Sequence, residues 1–278
     1  MQRVRILTDS TADVPADLAE RLGIVVVSAY VQFDGKSLRD GDQISREAFY
    51  RLVHTLKKPP TTAVPPAEEF AAAFRGLVGQ TEEVIAILLS TTLSGMYNAA
   101  WLGSQAVPEL KIHLVDSRQL AMGLGWQVIL AAEAAAEGKS GEEILAFLSD
   151  LQPRIRVLAM LDGLDHLQHS GRVEWARAMA VRLLRIKPLI EVRDGEVVLI
   201  GRVRTRRRAV ERLVEMTAAL GPLERLAVMH SAAPDVERFC RRLGAIFPPD
   251  QTLVTQVGPV VGTHIGPHAL GVAVITAV

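Results

Sequence analysis

The 278-residue sequence is nearly without cysteine: Cys240 stands alone, so no internal disulfide can form and a thiolate zinc cage has no second sulfur. That usage fits a reducing compartment. Aromatics are only 5% of the chain, which leaves few platforms for stacked bases, whereas an interior of Ala, Val, Leu and Ile suits an acyl chain better. An excess of either charge is missing too: 31 Lys and Arg offset 31 Asp and Glu, so the balance advertises neither nucleic acid nor an anionic membrane as the main partner. No stretch approaches the roughly 20 apolar residues of a spanning helix, and Met1–Asp9 holds too short an apolar run for a signal peptide. The chain therefore reads as cytoplasmic, with no stable membrane insertion. Internal repeats and low-complexity tracts are absent.

What is present is a composition able to build a large core, with 49% hydrophobic and 22% charged residues. The length favours two modest domains. In the first half, strand-like and helical runs alternate: Val4–Thr8, then Pro15–Leu22 closed by Gly23, then a strand over Ile24–Val31. Val84–Leu89 and Ile112–Val115 are short continuous apolar runs, as expected of strands covered on both faces. The rhythm predicts a largely parallel α/β sheet, with ligands gathered at the carboxyl ends of its strands. Ser140 and Glu143 form a capping box for a helix ending near Leu151, and Pro153 follows as a breaker, so a domain boundary is expected there: residues 1–152 and 153–278. Beyond it, Asp194-Gly195 between Leu189–Val192 and Val197–Val203 signals a hairpin, which makes the second domain mixed or antiparallel α+β. Later strands are expected at Leu226–Met229, Leu253–Val257 and Gly271–Ile275.

Three segments could carry chemistry. Val84 to Asn98 reads as a buried strand, a hydroxyl-rich loop and a helix beginning near Gly95, whose amides would face an anion. Ser94 stands where an N-cap belongs, so its hydroxyl either caps the helix or meets a ligand; Gly95 permits close ligand approach. Thr92 replaces the first glycine of a nucleophile elbow, which speaks against a hydrolase. Thr62, in an extended segment between Pro59-Pro60 and Pro65-Pro66, offers a second hydroxyl or is an ordinary turn residue. Near the carboxyl end, Gly258 to Gly271 reads as a glycine-rich loop holding His264 and His268, with Gly266 and Pro267 breaking any helix. No carboxylate completes a metal set there, and no metal or cofactor is expected. His166 and His169 beside Asp162 and Asp165 read as solvated positions on a short helix. Gly123-Leu-Gly125 lacks the third glycine of a dinucleotide fingerprint, since Val128 stands there.

The densest charge run comprises Arg202, Arg204, Arg206, Arg207, Arg208 and Arg212, at the junction of the hairpin and a helix starting near Thr205. Cations at a helix amino end oppose its dipole, and the Arg207 to Glu211 pair compensates only in part. An external or tertiary anion and a solvated basic face both remain open.

Taken in order, Thr8-Asp9-Ser10-Thr11-Ala12-Asp13, Leu38 to Gly41, the Thr62 loop, Leu93-Ser94-Gly95 with Tyr97, Asp116-Ser117 with Gly123 and Gly125, Gly171-Arg172, Arg204-Thr205, Gly262-Thr-His264 and Gly266-Pro267 give the chain its likeness. It resembles the DegV-like family of fatty acid-binding proteins along nearly its whole length. The resemblance implies two domains with a long-chain fatty acid in an apolar tunnel near their junction. It nominates Thr62, Ser94 and Gly95 for the ligand carboxylate, with Arg204 and His264 as nearby polar contributors. It further implies a non-catalytic subunit that presents the carboxyl group to a separate ATP-dependent fatty acid kinase, which forms an acyl phosphate for phospholipid synthesis. Burying an acyl chain gains roughly 0.8 kcal/mol per methylene, or about 10 kcal/mol gross, provided the carboxylate finds donors.

With that partner in view, Arg206, Arg207 and Arg208 are expected to dock an acidic kinase surface, since three consecutive helical positions fan too widely to converge on one buried carboxylate. The sequence departs from the family pattern at Ala63-Val64, Met96, Ala121 and His268. The alternative is a stand-alone serine-dependent lipid hydrolase or acyltransferase using Ser94 as nucleophile and His264 as base, for which no orienting acid is evident. A nucleic-acid binder, resting on the arginine run alone, ranks last.

Overall fold

The structure, a computed structural model, describes residues 3–180 and 186–277. Its strands run β1 (Val4–Asp9), β2 (Val25–Val27), β3 (Tyr30–Phe33), β4 (Lys36–Arg39), β5 (Thr61–Ala63), β6 (Glu83–Leu88), β7 (Lys111–Asp116), β8 (Ile155–Met160), β9 (Lys187–Arg193), β10 (Glu196–Val203), β11 (Leu223–His230), β12 (Leu253–Gln256) and β13 (Leu270–Thr276). The chain folds as two compact units. One comprises Met1–Tyr30, Ala63–Pro153 and Asp194–Glu196; the other comprises Val31–Thr62, Arg154–Arg193 and Val197–Val278.

The first unit is built on a parallel sheet of order β2-β1-β6-β7. Every position of β6 is buried, which is what its unbroken apolar run requires of a strand covered on both faces. Sheet order reverses between β1 and β6, the topological switch point where ligands gather outside the carboxyl ends of strands. Asp9 ties the two following loops together there. Its fully buried carboxylate accepts from Thr11 N (2.9 Å), Thr11 Oγ1 (2.5 Å) and Leu89 N (2.9 Å), while burial raises its pKa. The helix Met122–Ala136 is apolar all round and almost wholly buried. Gly125 is needed within it, because a Cβ would stand 2.6 Å from the Ala12 carbonyl. The Ser140–Glu143 capping box is present, opening the helix Gly141–Leu151.

The second unit carries a mixed sheet of order β10-β9-β8-β13-β11-β12, in which β11 and β12 are parallel and β9-β8-β13-β11 are antiparallel neighbours. Asp194 (φ 50°) and Gly195 (φ 86°) form the turn between β9 and β10 with both φ angles positive, the geometry their Asp-Gly sequence favours. The core of this unit gathers Leu158, Met160, Leu213, Phe239, Leu270 and Val272.

Two expectations fail here for physical reasons. The strand expected over Ile24–Val31 is two strands, β2 and β3, in different sheets; the Ala29 amide between them donates to Ser10 Oγ (3.1 Å). A single cut after residue 152 also misses the excursion Val31–Thr62, which belongs to the second unit. The helix Arg46–Val53 anchors that excursion: Tyr50 Oη donates to the Val257 carbonyl (3.0 Å) and Arg46 to the Gln256 carbonyl (2.6 Å). These partners lie more than 200 residues along the chain, so no local pattern announces them.

Candidate functional site

In the first unit, the loop after β6 carries four hydroxyls, and three are used internally. Ser90 Oγ (3.0 Å) and Thr92 Oγ1 (2.5 Å) both donate to the Gly195 carbonyl, and Thr91 Oγ1 donates to Asp116 Oδ2 (2.6 Å). Ser94 is the fourth. The helix begins at Met96 with Gly95 as its N-cap and no side-chain cap, so the capping role open to Ser94 in the sequence is not realised. Its backbone is fixed by Ser94 N donating to the Ser90 carbonyl (3.2 Å), and its half-buried hydroxyl has no partner among the described residues. Gly95 is exposed, and a Cβ added there would meet nothing within 4 Å. Neither packing nor a positive φ demands that glycine.

In the second unit, Thr62 and His264 come together across 202 residues, with Thr62 Oγ1 3.0 Å from His264 Nε2. Thr62 lies on β5, consistent with the extended backbone its flanking prolines favour. His264 is not in a loop, contrary to the glycine-rich reading: Pro259–Ile265 is a helix with Gly258 as N-cap and Pro259 in its first turn. Gly262 is tolerated mid-helix because a side chain there would strike the ring of Tyr50, with Cζ 3.0 Å from an added Cβ. Asp40 Oδ2 accepts from Val260 N (3.3 Å) at the amino end, and Gly266 (φ 74°, ψ 177°) terminates the helix just beyond His264.

The electrostatics of His264 follow from that setting. Burial, the nearby Arg172 guanidinium and His166 hold its pKa down to about 4, so the ring is neutral near pH 7. Its Nδ1 is buried without a hydrogen-bond partner among the described residues. A neutral imidazole carries one N–H. If Nδ1 holds it, Thr62 donates to Nε2 and Nδ1–H is the spare donor; if Nε2 holds it, the Thr62 hydroxyl is the spare donor. Either way the pair has one uncommitted hydrogen, suited to an anionic or carbonyl oxygen. No carboxylate is among the groups that set the titration of His264, so a triad-like orienting acid is missing from its electrostatic surroundings.

The arginine run divides. Arg206 is committed within the fold: its guanidinium meets Asp235 Oδ1 (2.5 Å), Asp162 Oδ1 (3.2 Å) and the His268 carbonyl (2.6 Å), a tertiary anion set that answers the charge question at this position. Arg207 and Arg208 are exposed and share Glu211, which relieves part of the conflict with the helix dipole. Thr205 is the N-cap of Arg206–Ala218, its Oγ1 accepting from Arg208 N (3.4 Å). Arg204 is exposed, with no side-chain partner among the described residues.

The remaining motifs resolve as follows. Gly123 and Gly125 lie inside the buried helix Met122–Ala136, not in a phosphate loop. His268 adopts φ 65° and lies with its ring centroid 5.6 Å from that of His54. Among the described residues no three His, Cys, Asp or Glu side chains group as a metal site, and no helix is long and apolar enough to cross a membrane. Met96 is buried, and Ala121, also buried, precedes Met122 with φ 48° and ψ −141° and no side-chain cap. Sequence reasoning missed Arg172 as an electrostatic neighbour of His264 and took His166 for a solvated residue, whereas it is half-buried with Nδ1 3.2 Å from the Thr263 carbonyl. Spacing offered no signal for either, since both act through tertiary contact.

Comparison with known proteins supplies the context for this geometry. The profile of a family described as "Uncharacterised protein, DegV family" matches residues 3–277. A DegV domain-containing protein of Caldanaerobacter subterraneus is 34% identical over 98% of both chains, and protein DegV of Bacillus subtilis is 30% identical over 97% of this chain and 98% of its own. Among solved structures, a DegV family protein from Thermus thermophilus described for its fatty acid binding superposes with a TM-score of 0.90 at 30% identity, covering 99% of this chain and 100% of that one. The fatty acid-binding DegV of Bacillus subtilis gives 0.90 at 29% over the whole of both chains. A stearic acid-binding protein from Eubacterium ventriosum gives 0.88 at 26%, covering 98% of each.

Proposed function

The chain belongs to the DegV family, and we propose on that premise that it binds a long-chain fatty acid in an apolar tunnel and holds the carboxylate with Thr62 and His264. The observation that carries the reading is the Thr62–His264 pair: a hydroxyl and a neutral imidazole in contact, with one spare hydrogen and a buried ring nitrogen lacking any partner. An orphaned polar atom is costly unless something completes it, and a carboxylate oxygen does so when Nδ1 carries the ring hydrogen. The likeness to structures described as fatty acid-binding supports the ligand class. Ser94, the uncommitted hydroxyl of its loop, the Gly95 amide and Arg204 are further donors in this proposal.

On the same reading the protein is a cytoplasmic carrier and not itself an enzyme. Catalysis would rest with a separate ATP-dependent kinase that phosphorylates the presented carboxyl group to an acyl phosphate, feeding phospholipid synthesis. The neutral Thr62–His264 pair suits that task, because it holds a carboxylate oxygen without wrapping both oxygens as a bidentate guanidinium does. Arg207 and Arg208, exposed and on the solvent side of their helix, are the arginines left to steer an acidic kinase surface. The lipid hydrolase reading gains no support, since His264 already shares Nε2 with Thr62 and has no orienting carboxylate.

Mass spectrometry of an organic extract from protein purified without added lipid tests the proposal. Near-stoichiometric long-chain fatty acid is expected. Repeated recovery of folded, ligand-free protein that also ignores added oleate would defeat it.

A further inference from the structure

Among the described residues the His264 side chain makes one hydrogen bond, to Thr62, so the setting of its ring depends on how the backbone around it is held. His166, from the short helix Asp165–Ser170, touches that backbone on both sides. Its Nδ1 lies 3.2 Å from the carbonyl of Thr263, the residue before His264. A carbonyl can only accept, so Nδ1 carries the proton, and burial, which lowers the pKa of His166, keeps the ring neutral with Nε2 bare. The Thr263 carbonyl lies in the last turn of a helix, where it lacks an intrahelical donor, and His166 supplies one. Two residues after His264, Gly266 lies directly against the same imidazole: a Cβ there would stand 2.6 Å from His166 Cδ2 and 3.0 Å from Cγ.

We infer that His166 is a positioning residue for the carboxylate-binding pair, gripping Thr263 and Gly266 so that His264 keeps Nε2 on Thr62. The consequence for ligand rests on the fatty acid reading above; the positioning itself does not. Apolar packing of Ile265 in the cluster with Leu164 and Leu167 holds the helix to the unit independently, so loss of the His166 donor loosens the setting of His264 without releasing the helix. The charged and titratable neighbours are few. His264 faces Arg172 and His166, while His166 faces Asp165, His169 and His54. With His166 neutral near pH 7, its influence there is exerted through geometry and not through charge.

Imidazole proton–nitrogen NMR of the full-length, delipidated protein reads the tautomer and titration of each ring. In the wild type His166 is expected as the Nδ1–H tautomer; an Nε2–H tautomer overturns the inference without recourse to any variant. His166→Phe keeps a ring against Gly266 but removes the donor, and His166→Asn returns an N–H near the Nδ1 position. His166→Phe should shift the tautomer balance of His264 at pH 7, with oleate affinity falling roughly three- to tenfold, and His166→Asn should restore both. Unchanged His264 spectra at pH 7 in His166→Phe overturn the assignment. Failure of the wild type to bind oleate would instead remove the fatty acid reading, leaving the NMR comparison intact as a test of positioning.

Discussion

The two units assemble their candidate chemistry in opposite ways. In the first, Ser94 and Gly95 come from one strand-loop-helix segment, and the hydrogen bonds that settle Ser94 run to Ser90 four residues away. In the second, Thr62, His166 and His264 come from three distant stretches, joined over separations of 202 and 97 residues. A local site tolerates change because few other parts depend on it, whereas a composite one inherits every contact that brings its pieces together.

Two glycines should display this difference most strongly. Gly262→Leu forces a side chain into Tyr50 and Phe49 and is expected to destabilise the protein by about 3 to 4 kcal/mol in chemical denaturation. Gly95→Ala, in open space, should shift stability by less than about 0.5 kcal/mol. Equal costs would erase the contrast between a composite and a local site.

Acid separates the units next. His264 has a folded pKa near 4 against an ordinary 6.5, so between those values the unfolded chain binds the extra proton. Its contribution is therefore intact above about pH 6.5 and is lost as pH falls toward 4, by at most about 3 kcal/mol. Denaturation of delipidated wild type and His264→Gln across pH 4 to 7 checks the sign, with the variant losing less in acid. A bound carboxylate favours the imidazolium, so ligand should protect against this loss. Calorimetry in buffers of different ionisation heat should also find fractional proton uptake on oleate binding at pH 6 and little at pH 8.

Hydroxyl deletion comes third. Thr62→Ala and Ser94→Ala should each weaken oleate binding or carboxyl presentation by more than about tenfold, since a hydrogen bond to a charged group contributes roughly 1.5 to 3 kcal/mol. Thr62→Ala should also change the His264 titration, because Thr62 hydrogen-bonds that ring, whereas Ser94 is not among the groups that set its titration. A shift in His264 from Ser94→Ala would mean the two sites are coupled electrostatically. Last, Arg207→Glu with Arg208→Glu should leave oleate affinity within about twofold while slowing association with the proposed kinase partner; lost oleate binding with normal association would remove these arginines from the docking proposal.

The legibility of the sequence follows the same division. The continuous apolar run Val84–Leu89, the Ser140–Glu143 box and the Asp194-Gly195 turn are short-range signals, and the strand Glu83–Leu88, the cap and the turn lie within a residue of where those signals put them. The helix Pro259–Ile265 was illegible because Gly258, Gly262 and Gly266 read as loop; Gly262 is there for Tyr50, a residue no window around it contains. The ion pairs of Arg206 are illegible for a related reason, since Asp162 and Asp235 lie in other segments. Thr62 and His264 were nominated by resemblance, but the orphaned Nδ1 and the depressed titration of His264 belong to the packed state alone.

The excursion Val31–Thr62 has a consequence for biosynthesis. Tyr50 leaves the ribosome 207 residues before Val257, the carbonyl it donates to. At about 5 to 20 residues per second, that interval is roughly 10 to 40 seconds, during which the amphipathic helix Arg46–Val53 has no access to Gln256, Val257 and Gly262. Phe49 and Tyr50, both buried in the finished protein, must be shielded meanwhile by transient contacts or by a chaperone. Nascent chains arrested short of residue 257 should accordingly be captured by chaperones through this helix, and chains carrying polar substitutions at Phe49 and Tyr50 should escape that capture.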